Sequence, residues 1–168
     1  MAIERAPLAP EAVHEAGHAV MARHLGLHLE QVWINPSEGA GRVCLPENVM
    51  PDQNQALLIL AASRACMRAF DIDTLHDQGP FRDVVEMRKI FDERYRDDDE
   101  NEVAQCHRIA ELDVKVDEFF HRQDVRAAAR ALAEVLTREN EVDGPRAEAI
   151  IDRHLMSGQA NARSAIRN

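Results

Sequence analysis

Aromatic residues are scarce in this 168-residue chain: one Trp, one Tyr and five Phe, 4% of the total. Sheets draw on aromatic and β-branched side chains, and the second half of the chain is instead rich in Ala, Leu, Arg and Glu. Helices are therefore favoured over sheets. Cysteines are three in number (Cys44, Cys66 and Cys106), far apart and unpaired in spacing. That excludes a disulfide framework or a thiolate zinc ribbon, and it fits reduced thiols in a cytosol-like compartment. Long apolar runs are missing: the longest, around Ala56 to Ala62, falls far short of the roughly 18 residues of a membrane helix. No basic-then-apolar signal segment opens the chain. A soluble, unexported, cytoplasmic protein is the expectation. Positive charge is also short, 20 basic against 30 acidic side chains, for a formal net charge of −10. Such a surface repels phosphate backbones and anionic lipid heads, so neither nucleic acid nor membrane is an expected partner.

What is present suffices for one domain with its own core. The expected organisation is a flexible lead-in over 1–9, a folded domain over 10–156 and a disordered tail over 157–168. Pro10 and Glu11 suit a first helical turn, and Gly26 suits the stop beyond Leu25. Val32, Trp33 and Ile34 favour a strand from Leu29 to Asn35, and the Pro36–Gly41 segment reads as a turn. Arg42 to Leu45 returns as a second strand, giving a small hairpin. Pro51 to Phe70 reads as a second helix, apolar all round and so buried on several sides. A loop over Asp71–Pro80 precedes a third helix starting near Arg82 or Asp83. Asp97–Glu100 reads as a solvated linker or the acidic start of a helix. Two long helices fit 102–121 and 123–139, and a short one fits 146–155. Met21, Met67 and Met87 read as core filler. Trp33 reads equally as core or as groove lining. His24, His28, His107, His121 and His154 read as surface residues.

One pattern carries chemistry. His14-Glu15-Ala16-Gly17-His18 is an HExxH motif, in a segment whose residues favour a helix. Residues four apart on a helix are separated by about 6 Å in rise and about 40° in rotation, so both imidazoles leave one face. Two nitrogens placed so can approach a single zinc ion at roughly 2.0–2.1 Å. Glu15, beside the first ligand, is placed to take a proton from the attacking water and pass it to the leaving amine. Ala16 and Gly17 are small and are expected not to crowd metal or substrate. Random placement of these residues would yield the pattern in about 4% of shuffled chains; the helical context is what separates it from two hydrogen-bonded core histidines. A catalytic zinc needs a third protein ligand and an open position. The residues alone leave Asp71, Asp73, His76, Asp77, Asp83 and Glu86 as candidates.

The string HEAGHAV, followed by QVWINPSEGAGRVCLPE, resembles the peptidase domain of FtsH-type ATP-dependent zinc proteases. In that family the HEAGHA helix is followed by a short strand ending in a Pro-containing turn. A Gly-x-[Val/Thr] strand ending in Leu-Pro comes next. The counterparts here are Val32–Pro36 and Gly41–Glu47. Gly79-Pro80-Phe81-Arg82-Asp83 is similar to the family's Gly-Ala-Ser-Asn-Asp stretch, whose last Asp is a zinc ligand, so the resemblance points to Asp83. Residues Ala131 to Ile151 resemble the family's closing helices. The resemblance implies a mainly α, zincin-like FtsH peptidase fold with a small β-hairpin beside the HExxH helix. It also implies assembly as a homo-oligomer, and the 42–45 strand as the edge along which substrate is held. Two departures stand out. No GxxxxGK[ST] or other AAA+ feature occurs, so ATP-driven unfolding by this chain itself is not expected. The family's Gly-Gly-Arg-x-Ala-Glu-Glu helix reads here Ala62-Ser63-Arg64-Ala65-Cys66-Met67-Arg68, so its paired acids are replaced by Met67 and Arg68.

The expected function is that of a stand-alone zinc endopeptidase. His14, His18 and Asp83 would hold Zn2+, with Glu15 as general base. Substrates would be peptides, flexible segments or unfolded proteins, delivered with or without a separate ATPase. Two rivals are a regulatory metalloprotease that cleaves one repressor, and a catalytically silent, zinc-stabilised interaction module.

Overall fold

The computed structural model describes residues 7–72, 78–94 and 102–165. Among them the chain is mainly helical with one small antiparallel sheet. In chain order the elements are α1 (Pro10–His24), β1 (Gln31–Asn35), β2 (Ala40–Cys44), α2 (Gln53–Ala69), α3 (Gln78–Arg94), α4 (Glu102–His121), α5 (Gln123–Glu139), β3 (Glu141–Asp143) and α6 (Gly144–Ala165).

Helix α1 is the central element. Pro10 occupies its first turn with Glu11, where no amide hydrogen is lost and a carboxylate meets the positive helix end. Every residue from Ala12 to Ala22 is buried, because α2, α5, α6 and the sheet all pack on it. Four alanines (Ala12, Ala16, Ala19 and Ala22) let these neighbours approach. Helix α2 begins with a capping box: the Asp52 carboxylate accepts from the Gln55 amide at 2.9 Å, and the Gln55 side chain accepts from the Asp52 amide at 3.0 Å. Its Leu57, Ala61, Ala62, Ala65, Cys66 and Met67 are buried, while α1, α3 and α4 all pack on it. The expected many-sided burial is found.

The expected hairpin is also found, with shifted ends: β1 lacks Leu29 and Glu30, while β2 takes in Ala40 and Gly41, expected in the turn, and stops before Leu45. Val32 pairs with Val43 and Ile34 with Gly41, and Val32 and Ile34 face the core. Trp33 lies on the other face of the sheet, half-buried and opposite Arg42. A third strand was not expected. β3 pairs with β1 through Val32 and Val142, giving the sheet order β2-β1-β3. Three residues are too few to show an alternating pattern. What places them is the preceding turn, where Asn140 adopts φ 63 at the end of α5 and its carbonyl accepts from the Ile34 amide at 2.8 Å.

The two long helices lie where expected, and α5 buries a periodic apolar face of Val125, Ala128, Ala129, Leu132, Ala133 and Leu136. Helix α3 starts at Gln78, earlier than Arg82, since Pro80 is tolerated within a first turn. Helix α6 runs to Ala165, beyond the expected 146–155 and into the tail expected to be disordered. That stretch holds Gln, Ala, Asn and Arg with one Gly and no Pro, so nothing in it stops a helix already running. The lead-in is tied down at its end, where the Ala9 amide donates to Thr137 Oγ1 at 3.1 Å. Residues 1–6, 166–168 and the Asp97–Glu100 run lie outside the described residues. Met21, Met67 and Met87 are core residues as expected. No helix among the described residues is long and apolar enough to cross a membrane.

Candidate metal centre

Helical spacing does what the motif requires. His14 and His18 leave the same face of α1 with ring centroids 4.8 Å apart and ring planes at 80°. Their Nε2 atoms are 3.1 Å apart. Asp83, in the second turn of α3, brings its Oδ2 to 3.4 Å from His14 Nε2 and 3.3 Å from His18 Nε2. His14, Glu15, His18 and Asp83 are each 5–8% exposed, the only acidic, basic or imidazole side chains so buried among the described residues. Three electron-pair donors thus converge on one point, an arrangement that a cation resolves and that neutral packing does not. The buried group of His14, His18 and Asp83 could hold a metal ion.

The neighbours set each ligand's state. His18 Nδ1 lies 2.7 Å from the Ile59 carbonyl on α2. A carbonyl only accepts, so Nδ1 carries the hydrogen and Nε2 is turned toward the site. Ser63, also on α2 and fully buried, donates its hydroxyl to Asp83 Oδ2 at 2.5 Å. Burial, with the nearby His18, drives the His14 pKa down to about 3. Burial also acts to lower His18, but the hydrogen bond and charge of Asp83, aided by Glu15 and the Ile59 carbonyl, outweigh it and hold His18 up at about 9. Asp83 is held below its ordinary value, the hydrogen bond and charge of His18 overcoming burial. Without a metal, one proton on His18 therefore takes the place of the cation.

An open cavity of about 1130 Å3 leads to this group. Glu15 lines it beside the two histidines, and Ala40, Gly41, Arg42 and Val43 of β2 form one wall. Strand β2 is an edge of the sheet and runs alongside α1 in the same direction: a Cβ at Gly39 would come near Glu11, and one at Gly41 would meet Glu15. Ile59 and Leu60 of α2 and Ile90 of α3 supply an apolar wall.

Compared with known proteins, the chain matches no family model and no curated protein sequence.

Of the third-ligand candidates among the described residues, the structure brings only Asp83 to the histidines. Asp71 is exposed just after α2. Glu86 lines the cavity but pairs with Lys89 at 2.6 Å. Asp73, His76 and Asp77 lie outside the described residues. Gly17, expected not to crowd metal or substrate, has a separate packing role. A Cβ there would lie 2.8 Å from both the Ala62 carbonyl oxygen and Cys66 Cβ, so Gly17 faces α2 and serves the helix crossing. Trp33 does not line the cavity. Met67 lies in the core and Arg68 hydrogen-bonds Asp117 at 2.8 Å, so neither supports the candidate ligands. Ser63 and the Ile59 carbonyl do so instead, and sequence reasoning missed both. His24 and His28 are exposed as expected, His28 beside Glu148.

Proposed function

We propose that this chain is a zinc-dependent endopeptidase of FtsH-like type, acting on flexible or unfolded polypeptides. The observation that carries the proposal is the convergence of His14, His18 and Asp83 at the floor of a cavity that Glu15 also lines. Zinc is the metal that best suits the donors. A tetrahedral ion with bonds of about 2.0–2.1 Å has ligand–ligand edges of about 3.3–3.4 Å. The three edges here are 3.1, 3.3 and 3.4 Å. Two imidazoles and a carboxylate fill three corners and leave the fourth open, the pattern of catalytic rather than structural zinc.

When bound, the metal would polarise the scissile carbonyl and acidify the water beside it. The residues of the chain do the rest. The Glu15 carboxylate accepts the proton of the attacking water and returns it to the departing amine nitrogen. The edge of β2 offers main-chain hydrogen bonds to an extended peptide, holding its carbonyl over the floor of the cavity. The apolar wall of Ile59, Leu60 and Ile90 covers the opposite side. The resemblance to FtsH-type peptidases adds the expectation of self-assembly; unfolded chains would be supplied with or without a separate ATPase.

Glu15→Gln tests this reading, with fluorescently labelled unfolded casein as substrate. Cleavage should fall by about 100-fold or more while zinc content stays at one ion per chain. Equal behaviour of variant and wild type would leave a zinc-stabilised interaction module. A single defined cut in a protein library, with casein untouched, would favour the regulatory protease.

A further inference from the structure

Gly41 stands in the middle of β2, opposite Ile34, and its backbone does not need a glycine. Its φ lies outside the left-handed region, so any residue can adopt it. A glycine inside a strand forgoes side-chain packing and adds unfolded-chain entropy, and such a residue often marks a close approach. Here the close approach is to one side chain. A Cβ on Gly41 would lie 2.5 Å from Glu15 Cγ, 2.8 Å from Oε1 and 2.9 Å from Cδ. All three nearest atoms belong to Glu15, which is itself only 5% exposed. The carboxylate therefore has little room to move aside.

We propose that Gly41 is a positioning residue for Glu15: the missing side chain is the space in which the general-base carboxylate sits. The role rests on the peptidase reading given above, but the contact itself does not. Strand β2 thus does two things at once. Its open edge faces the substrate channel, while its α1-facing side fixes the depth at which the carboxylate stands beside the metal ligands. Any side chain at position 41 would push the Glu15 carboxylate away from its place and leave His14, His18 and Asp83 untouched.

A double-substitution cycle tests this. Gly41→Ala in the otherwise natural chain should lower Tm, whereas in a Glu15→Ala background it should leave Tm unchanged or raise it, because the vacated space takes the methyl group. In the casein assay, Gly41→Ala should cut kcat by tenfold or more, with KM within about twofold and one zinc per chain retained. Equal Tm changes in both backgrounds, or an undiminished kcat, would overturn the proposal. If the single variant fails to fold, recovery of folding in the double variant supports the contact, and its absence overturns it. A natural chain without peptidase activity would remove the functional reading, while the Tm cycle would still decide whether Gly41 makes room for Glu15.

Discussion

Ser63 donates its hydroxyl, at 2.5 Å, to the same Asp83 oxygen that faces both His14 and His18. A residue of α2 thus aims a candidate ligand carried by α3 at two candidate ligands carried by α1. Ser63 is fully buried, and its other contact is with the Leu60 carbonyl of its own helix. Removing the hydroxyl by Ser63→Ala leaves the packing nearly unchanged but frees the carboxylate to rotate. Metal affinity should weaken by about 10–100-fold, the usual effect of losing such a support, with Tm of the metal-free protein little altered. Chelator competition measures it; unchanged affinity would show that the hydroxyl does not orient Asp83.

Metal binding should be coupled to one proton. Asp83 holds the His18 pKa at about 9 against burial, while burial and His18 keep His14 near 3 and therefore neutral. A raised histidine pKa stabilises the metal-free fold at neutral pH, and that contribution is lost as pH rises through about 9. The metal must displace the His18 proton, so affinity should fall by about tenfold per pH unit below 9 and level off above it. Zinc titrations from roughly pH 6 to 9.5 give the slope. A flat profile would contradict the assignment, and a slope of two would mean that His14 is protonated too.

Gly17 fixes the distance between α1 and α2. Gly17→Ala gains about 1 kcal/mol of helix propensity, but its methyl would meet the Ala62 carbonyl and Cys66 Cβ at 2.8 Å and Ser63 Cα at 3.0 Å. None of these atoms can swing away, so the helices must part, and overpacking of this kind costs about 1–3 kcal/mol, occasionally more. The net effect should be a lower Tm, by roughly 2–4 °C per kcal/mol. Metal affinity should fall as well, since α2 carries the Ile59 carbonyl and Ser63. A raised Tm, as propensity alone would give, would contradict the close crossing.

The parts of the site that lie close in sequence were legible, and those joined only by packing were not. His14 and His18 follow from helical period, because four residues bring two side chains onto one face. Asp83 is 65 positions from His18, and no spacing rule connects them; only the resemblance to FtsH-type peptidases singled it out from five other candidates. The Ile59 carbonyl has no sequence signature, since every residue carries one, and Ser63 looks like an ordinary helical serine. Gly41 read from the residues as the end of a turn, and only the resemblance set it at the start of a strand; its place inside β2 and the side chain that approaches it depend on how β2 lies against α1. For the fold, α5 was legible from its apolar residues, and α4 was expected over the bounds it takes. β3 was not, because its three residues are specified by pairing with β1 rather than by their own pattern.

The most direct test of the metal centre is crystallographic. Diffraction data collected just above and just below the zinc absorption edge, from protein loaded with one equivalent of zinc, locate the ion by its anomalous difference. The account predicts a single peak about 2.0–2.1 Å from His14 Nε2, His18 Nε2 and Asp83 Oδ2, with its fourth position open toward Glu15 and β2. Zinc bound elsewhere, or a peak that leaves any of these three atoms uncoordinated, would contradict it.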